Sequence, residues 1–512
     1  MTQQIDTVAL PTEVEVAVIG AGFGGLAMGK RLLDEGMDDF VLLEKDTQVG
    51  GTWRDNTYPG CGCDIPSHVY SLSFAPNPNW SAVFSSQPEI FDYLRHVADD
   101  YGITPHIRFG CEVRDARWDS DAQRWRIETS QGALQARALV AAGGPFPEPS
   151  IPTLPGIERF EGAQFHSANW DHDFDLEGKR VAVVGTGASA IQFIPEIQPK
   201  VGKLNLFQRT PPWIIGRNDR RYRRWEKALY RRFPALQQLS RKLIFWSWEA
   251  RTVAFTHRPL AEITRRLALK HLSEQVQDAE LREKLTPQFT PGCKRMLMSN
   301  TYYPALAADN SEVITAGISE VREHSIVDET GEEREVDAII WGTGFNVTRP
   351  PVAHHVFDAD GRSLADHWQG SMQAYRGTTV SGFPNLFFLL GPNTGLGSNS
   401  VVAVSEAQAD YAIGALRAMK KQRLGAVDVL PHAQASFNAA VQSGFKGTVW
   451  EAGECASWYR DANGRNTVIW PDFSYRLHRR LEKFDLASYR TEPIRSPEPA
   501  AEPTQANEPV AA

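Results

Sequence analysis

Two glycine-rich turns in this sequence have the residue spacing of loops that bind a pyrophosphate. In such a loop the first glycine permits a tight turn, the second lets the backbone approach the phosphates, and a small third residue lets the next helix pack closely. Free N–H groups at the start of that helix then face the negative charge. The two turns are Gly20-Ala-Gly22-Phe-Gly-Gly25 and Gly185-Thr186-Gly187-Ala-Ser189-Ala190. We expect each turn to bind one dinucleotide.

The residue that ends the following strand distinguishes the two dinucleotides. Glu44 lies 24 residues after Gly20, and Arg209 lies the same 24 residues after Gly185. A carboxylate at this place accepts hydrogen bonds from ribose hydroxyls and repels a 2′-phosphate, whereas a guanidinium binds that phosphate through charge-assisted hydrogen bonds. The sequence therefore predicts a dinucleotide with a free ribose at the first site and NADP at the second.

Two βαβ units are needed to position these turns. The hydrophobic patterns predict strand, helix and strand over 14–19, 26–35 and 40–44, and again over 180–184, 191–197 and 204–208. We therefore expect an α/β protein with two Rossmann-like dinucleotide-binding domains. Two dinucleotides in one chain are typical of electron relay, with FAD at the first site and a hydride donor at the second. Spacing alone does not identify the flavin.

Composition and charge argue against several other classes of protein. The 512 residues exceed one ordinary core, and the net charge of −8 gives no basic footprint for nucleic acid. Five cysteines, an odd and sparse set, do not indicate a disulfide framework and favour a reducing compartment. The sequence shows neither a signal-peptide pattern nor an apolar run of the ~18 residues that span a membrane. We therefore expect a cytoplasmic protein without a transmembrane segment.

A segment rich in Arg, Leu and Trp interrupts the second nucleotide fold and is predicted to form an inserted helical subdomain. Its basic face could contact a membrane surface or an acidic partner, but the sequence favours the solvated face of a packed helix pair. The expected division is a first domain at 1–150 and 346–490, a second at 151–216 and 291–345, the insert at 217–290, and a disordered tail at 491–512.

Three further motifs carry a family resemblance. Phe160-Glu-Gly162-Ala-Gln-Phe-His166-Ser-Ala-Asn-Trp170-Asp171 fits the pattern F-x-G-x-x-x-H-x-x-x-W-[PD]. Gly50-Gly51-Thr52-Trp53, Tyr58-Pro59-Gly60 and Asp64 fit [AG]-G-x-W-x4-[FY]-P-[GM]-x3-D, and Gly292-Cys-Lys294-Arg295 is similar to a Lys-Arg pair. With these motifs the chain resembles the type I Baeyer–Villiger monooxygenases from about Val14 to Arg480.

The resemblance implies an activity and its reactants. NADPH reduces FAD, the reduced flavin reacts with molecular oxygen to give a flavin peroxide, and the peroxide converts a small ketone to an ester or lactone. Negative charge on the peroxide and on the reacting ketone requires a fixed cation. Arg295 suits this role because a guanidinium stays charged near neutral pH. Asp64 is expected to orient Arg295, and both are predicted to be catalytic.

The resemblance also implies residues that contact the cofactors. Lys294 is expected to join Arg209 at the 2′-phosphate, and His166 to link the domains rather than to transfer protons. The residues expected to bind the cofactors are Gly20, Gly22, Gly25, Glu44, Gly51, Thr52, Trp53, Asp64, Tyr70, Val113, Gly185, Thr186, Gly187, Ser189, Gln192, Arg209, Thr210, Lys294 and Trp458. We expect no metal.

Other activities remain open from the sequence. The same flavin chemistry oxygenates nitrogen or sulfur centres in related monooxygenases, although Trp170-Asp171 favours the ketone-oxidising branch. A flavin or disulfide reductase would need a redox dithiol, and Cys61 and Cys63 are interpreted as ordinary loop thiols. A nucleotide-sensing protein without activity would not need Asp64, Lys294 and Arg295. The particular ketone and the oligomeric state do not follow from the sequence.

Overall fold

The structure of the protein is a computed structural model that describes residues 9–453, 455 and 457–495. Its first part opens with the predicted strand, glycine turn and helix. In chain order the elements are β1 (Glu13–Ile19), α1 (Phe23–Asp34), β2 (Phe40–Leu43), α2 (Thr52–Asp55), α3 (Gln87–Asp100), β3 (Ile107–Arg108), β4 (Val113–Asp119), β5 (Arg124–Thr129) and β6 (Gly132–Ala141).

The second part repeats the strand, turn and helix and carries the helical insert. The elements before and within the insert are β7 (Ala163–His166), β8 (Arg180–Val184), α4 (Ala190–Ile197), β9 (Lys203–Phe207), β10 (Ile214–Ile215), α5 (Arg224–Arg232), α6 (Pro234–Glu249), α7 (Thr252–Thr256), α8 (Arg258–Gln275) and α9 (Ala279–Lys284). After it come β11 (Leu297–Met298), α10 (Tyr302–Leu306), β12 (Ser311–Ile314), β13 (Ile318–Val321), β14 (Ser325–Asp328), β15 (Glu333–Glu335) and β16 (Ala338–Trp341).

The last part returns to the first sheet and then adds helices. Its elements are α11 (Val352–His355), β17 (Val356–Phe357), α12 (Leu364–Trp368), β18 (Leu386–Phe388), α13 (Val401–Gln422), β19 (Leu424–Val429), α14 (Pro431–Gly444), α15 (Val449–Ala452), α16 (Ser474–Leu481) and β20 (Tyr489–Pro493). Strand β20 pairs with β19 and includes the first three residues of the predicted disordered tail. That start of the predicted tail at 491 is therefore wrong, while 496–512 lie outside the described residues.

The larger sheet places the first glycine turn among parallel strands. Its order is β17-β4-β5-β6-β1-β2-β3, with β18 also pairing β6. Strand β1 runs parallel to both β2 and β6, whereas β4, β5 and β6 pair antiparallel. Because β1 is buried on both faces by apolar residues, it gives the turn at its carboxyl end a rigid base.

The second sheet repeats this arrangement for the second turn. Its five strands run in the order β12-β9-β8-β16-β7, and every pairing is parallel. Strand β7 lies within the Phe160–Asp171 motif, and His166 is in register with Trp341 of β16. The parallel strands of the larger, mixed sheet and the parallel second sheet belong to the two Rossmann-like domains that the sequence predicts.

A disulfide was not expected from the five cysteines. Cys293 is bonded to Cys455 across a sequence separation of 162 residues, whereas Cys61, Cys63 and Cys111 are free and buried. The sequence could not indicate this pair, because only the fold brings the residue before Lys294 to the loop before Trp458. Within the described part of the chain, no helix combines the length and apolar character needed to cross a bilayer.

Candidate active site

The first glycine turn has the geometry that its sequence predicts. Gly20 has a φ of 96°, a conformation that residues with a side chain rarely adopt. A Cβ on Gly25 would lie 2.0 Å from the carbonyl oxygen of Gly20, so only glycine lets α1 start this close to β1. Gly51 approaches from the second motif, and a Cβ on it would lie 3.6 Å from Cα of Gly22. The two glycine stretches therefore form one narrow backbone cradle.

Glu44 lies at the end of β2, buried beside this cradle. Its carboxylate accepts hydrogen bonds from the N–H groups of Ala21 at 2.8 Å and Asp46 at 3.1 Å, and from Arg54 at 3.0 Å. A carboxylate offers about four acceptor positions, so one position on Oε2 is left for a ribose hydroxyl. The site therefore fits a dinucleotide with a free ribose. Val113 begins β4 nearby, two residues after Cys111, whose N–H donates to the Glu44 carbonyl at 2.9 Å.

Aromatic side chains fix the loop between the two glycine stretches and Asp64. Trp53 of α2 donates from its indole nitrogen to the hydroxyl of Tyr70 at 3.0 Å. The Tyr70 ring packs edge-on against Phe23 of α1, with 5.2 Å between ring centroids. Burial raises the pKa of Tyr70, so its hydroxyl stays protonated. Thr52 and Trp53 are thereby held at the first turn, as the second motif predicts.

The second glycine turn is equally crowded. Gly185 has a φ of 106°, and a Cβ there would lie 2.4 Å from the carbonyl oxygen of Gly342. Thr186 donates to the carbonyl of Thr210 at 3.1 Å, which ties the turn to the segment after β9. Ser189 precedes the first residue of α4. Because the turn, the helix start and Arg209 lie together, this end of the second sheet can receive a dinucleotide phosphate.

Arg209 and Lys294 form a cationic pair at this end of the sheet. Burial lowers the pKa of Lys294, and the positive charge of Arg209 lowers it further. Neither side chain has an acidic partner within 4.0 Å among the described residues. Two neighbouring cations without a counter-ion attract a doubly charged phosphate. The residues present therefore fit the 2′-phosphate of NADP.

Asp64 and Arg295 form a bidentate ion pair between the two parts of the chain. Arg295 donates from Nε to Oδ2 at 2.7 Å and from Nη2 to Oδ1 at 2.6 Å. Burial opposes ionisation of Asp64, but the guanidinium of Arg295 outweighs it and holds the pKa of Asp64 below its usual range. Burial likewise opposes the charge of Arg295, and Asp64 reverses this and raises its pKa. Arg295 is therefore a permanent positive charge in a fixed orientation.

Gln192, predicted to bind a cofactor, also links α4 to the loop between Tyr58 and Asp64. Its Oε1 accepts hydrogen bonds from the hydroxyl of Tyr58 at 3.0 Å and the N–H of Gly62 at 3.3 Å, and its Nε2 donates to the Gly62 carbonyl at 3.0 Å. The amide thus joins α4 to the loop that carries Asp64. One N–H of Nε2 remains for a cofactor.

Trp458 and His166 occupy the hinge between the domains. Trp458 is 44% exposed, and its ring lies 6.5 Å from that of Phe146, which contacts Phe345. His166 packs edge-on against the same Phe345, and its Nδ1 accepts from the N–H of Ala168 at 3.1 Å. Burial lowers the pKa of His166, so it is neutral near pH 7. A neutral, packed histidine agrees with a domain-linking role.

Several residues near the ion pair were not predicted. Tyr459 is buried beside Arg295, and burial raises the pKa of its hydroxyl to about 12. Arg217 donates to the carbonyl of Cys63 at 3.4 Å and stacks over Phe84. Arg54 holds Glu44 in place. In the sequence, these three residues are distinguished only by following Trp458, Gly216 and Trp53, respectively. Such a position is too weak a signal to assign a role.

The insert and the short helix α15 meet beside the segment that leads to Arg295. Phe255 of α7 stacks on Trp450 with 5.7 Å between ring centroids. A Cβ on Gly292 would lie 2.4 Å from Phe255, so this glycine admits the aromatic ring three residues before Arg295. The aromatic pair of Phe255 and Trp450 therefore packs against the segment that leads to Arg295. Burial raises the pKa of Cys61 to about 12, which leaves this free thiol inert near neutral pH. In the described ranges, no three His, Cys, Asp or Glu residues are grouped as metal ligands.

Comparison with known proteins identifies relatives with the same arrangement. A family profile described as FMO-like, flavin-binding monooxygenase-like, matches residues 13–363. A protein of Streptomyces coelicolor named Baeyer-Villiger monooxygenase is 50% identical over 481 residues, which cover 93% of this chain and 92% of that protein. Cyclohexanone monooxygenase from Rhodococcus sp. Phi1, solved bound to NADP+, superposes with a TM-score of 0.83 at 27% identity and covers 94% of this chain and 100% of its own.

A second solved structure carries both nucleotides. The complex of OTEMO with FAD and NADP superposes with a TM-score of 0.83 at 25% identity, over 93% of this chain and 99% of that one.

Proposed function

The chain belongs to the flavin-binding monooxygenases and, within them, to the type I Baeyer–Villiger enzymes, and from this premise we propose that Arg295, held by Asp64, is its catalytic charge. The enzyme depends on FAD and NADPH and uses molecular oxygen to convert a ketone to an ester or lactone. Bound FAD, reduced by NADPH, supplies the activated oxygen. We propose roles for the residues of this chain that surround the bound FAD.

The bidentate contact between Asp64 and Arg295 carries the proposal. In this reaction negative charge develops on the transferred oxygen and on the ketone oxygen, and a preorganised cation stabilises both. Arg295 cannot lose its proton near neutral pH, and Asp64 fixes the plane of the guanidinium. Because the carboxylate occupies Nε and one Nη, the other Nη is left to donate toward the reacting oxygens.

We propose that the remaining site residues bind and separate the two cofactors. Glu44 accepts from the ribose of FAD, and Arg209 with Lys294 binds the 2′-phosphate of NADPH. Trp458 contacts the nicotinamide half, and Gln192 keeps α4 in register with the loop of Asp64. Backbone and side-chain contacts to the cofactors are assigned to Gly20, Gly22, Gly25, Gly51, Thr52, Trp53, Tyr70, Val113, Gly185, Thr186, Gly187, Ser189 and Thr210.

We also propose the compartment in which the enzyme acts and the substrate that it takes. We place it in the cytoplasm, where NADPH is regenerated, and we assign it a small ketone substrate and no nucleic-acid partner. We propose that Phe255, which stacks on the buried Trp450, borders the hydrocarbon part of that ketone. We keep the domain limits proposed from the sequence, with the insert at 217–290, and helices α5–α9 lie between β10 and β11.

Replacing Arg295 with Ala tests the proposal. We expect ester or lactone formation to fall by at least about 10²–10³-fold, while NADPH still bleaches the flavin under anaerobic conditions. Both are measured on purified holoenzyme, by product chromatography and by flavin absorbance. Normal lactone formation in this variant would refute the role of Arg295.

A surface arginine provides the matched control. Arg476 also contacts both carboxylate oxygens of one aspartate, Asp472, at 3.1 and 2.9 Å, but its side chain is 53% exposed. Arg476→Ala is expected to leave both flavin reduction and product formation unchanged. Equal losses in the two variants would indicate a general effect on folding instead of a catalytic charge.

A further inference from the structure

The helical insert exposes an unusual number of large apolar side chains. Twelve such residues are exposed in the described part of the chain, and nine of them fall within residues 225–267. A packed helix pair with a solvated polar face, which the sequence favours, would bury them. The nine are Trp225, Phe233, Leu236, Leu239, Leu243, Trp246, Leu260, Ile263 and Leu267.

These side chains form stripes along the helices. On α6, Leu236, Leu239, Leu243 and Trp246 follow one another at intervals of three, four and three residues and are 42–63% exposed. Residues at this spacing share one helix face. Leu260, Ile263 and Leu267 repeat the spacing on α8. Each helix therefore presents an apolar line to the outside.

Polar contacts on the opposite face fix the orientation of α6. Gln237 donates to the carbonyl of Asn77 at 2.8 Å, and Arg241 donates to the carbonyls of His68 and Ser71, each at 2.8 Å. At the end of the helix, the buried carboxylate of Glu249 accepts from Asn399 and Ser474. Rotating α6 to bury its leucines would strip these groups of their partners. The outward apolar stripe is thus imposed by the fold.

The net charge of this region is opposite in sign to that of the rest of the chain. Residues 217–275 hold fifteen Arg or Lys and five Asp or Glu, a net charge of +10 in a chain of net charge −8, so the remainder carries −18. Several of the cations are exposed and have no acidic partner within 4.0 Å in the described ranges, among them Arg221, Arg224 and Lys242. An apolar stripe flanked by free cations combines affinity for acyl chains and for anionic headgroups.

We propose that the apolar face of α6, together with the neighbouring α5, binds the surface of an anionic phospholipid membrane. Leucine and tryptophan side chains enter the boundary between headgroups and acyl chains, and the surrounding cations contact the phosphates. A second copy of the chain fits less well, because a twofold dimer through this face would bring together two segments that each have a net charge of +10. The inference does not depend on the proposed roles of Arg295 and Asp64.

Sedimentation with vesicles tests the proposal on the full-length holoenzyme. We expect binding to vesicles of phosphatidylcholine with phosphatidylglycerol, and at least about tenfold weaker binding to phosphatidylcholine alone or at high salt. Leu239→Gln with Leu243→Gln is expected to weaken binding to the anionic vesicles by at least about tenfold. Both leucines are exposed, so turnover of a water-soluble ketone and flavin content should stay unchanged.

Control variants distinguish binding through this face from nonspecific adsorption of the protein to vesicles. Ile151→Gln with Ile494→Gln removes two apolar residues that are each 50% exposed but lie outside the insert, and it should leave vesicle binding unchanged. Arg221→Glu with Lys242→Glu should abolish the preference for anionic lipid. Absence of binding, or equal binding by the stripe variant, would overturn the proposal. So would a dimer in sedimentation velocity that the stripe variant dissociates, because a second copy would then cover the face.

Discussion

The side-chain amide of Gln192 is hydrogen-bonded to both backbone groups of Gly62, accepting from its N–H at 3.3 Å and donating to its carbonyl at 3.0 Å. Gln192 lies in the first turn of α4, beside the second glycine turn, and Gly62 lies two residues before Asp64. This pair therefore links the second glycine turn to the loop of Asp64, whose carboxylate contacts Arg295.

Replacing Gln192 with Leu is expected to loosen this link. The change removes three hydrogen bonds, each contributing about 0.5–1.5 kcal/mol to stability, and leaves the Gly62 backbone groups without partners. We expect more NADPH to be consumed per product formed, measured as the ratio of NADPH loss to ester or lactone. Gln198→Ala is the control, because Gln198, beyond the far end of α4, bonds Asn310 within its own domain. Unchanged coupling in the Gln192 variant would contradict this role.

The glycine turns, Glu44 and Arg209 could be predicted from the sequence because each depends on local geometry. A strand, a turn with φ near +100° and a helix follow from a dozen consecutive residues, and the residue at the end of the next strand follows from spacing. The link between Gln192 and Gly62 could not be predicted in this way, since it joins residues 130 positions apart through backbone groups that any residue carries.

The orientation of the insert and the disulfide bond could not be predicted from the sequence either. Helical periodicity shows which residues share a face of α6 but not which face meets the protein, and the polar anchors Gln237, Arg241 and Glu249 decide that. A count of five cysteines cannot indicate that Cys293 and Cys455 pair, because the pairing depends on how two domains meet. Arg295 and Asp64, 231 positions apart, were predicted only because the family resemblance supplied both.

Arg209 and Lys294 should determine the choice between NADPH and NADH. Removing both side chains, as Arg209→Ala with Lys294→Ala, takes away charge-assisted hydrogen bonds of about 1.5–3 kcal/mol each. We expect kcat/KM for NADPH to fall by at least about 100-fold with little change for NADH. The control is Lys203→Ala, which removes a cation at the start of β9 that is paired with Glu312. A double variant that keeps its preference for NADPH would show that the 2′-phosphate binds elsewhere.

Use of NADPH should also depend on pH through Lys294. Burial and the nearby Arg209 lower the pKa of Lys294, so its positive charge is present below that pKa and is lost as pH rises through it. We therefore expect kcat/KM for NADPH, which reports the free enzyme, to fall at a lower alkaline pH than an ordinary lysine would give. Lys294→Arg should move this fall to higher pH because a guanidinium stays protonated. Identical pH profiles for the two proteins would exclude Lys294 as the group that titrates.

The bond between Cys293 and Cys455 should stabilise the segment that carries Lys294 and Arg295. It precedes Lys294 and Arg295 directly on one side and Trp458 by three residues on the other, and it closes a sequence separation of 162 residues. In the chain-entropy view, a loop of this length limits the stabilisation to roughly 5 kcal/mol. We expect Cys455→Ser, or treatment with a thiol reductant, to lower the Tm followed by flavin release. The Tm of Cys455→Ser should no longer respond to reductant, whereas Cys111→Ser, which removes a free buried thiol, should keep the response. Peptide mapping of the unreduced protein shows whether the two cysteines are linked. If no linked peptide is found and reductant leaves the wild-type Tm unchanged, the bond does not stabilise the enzyme in solution.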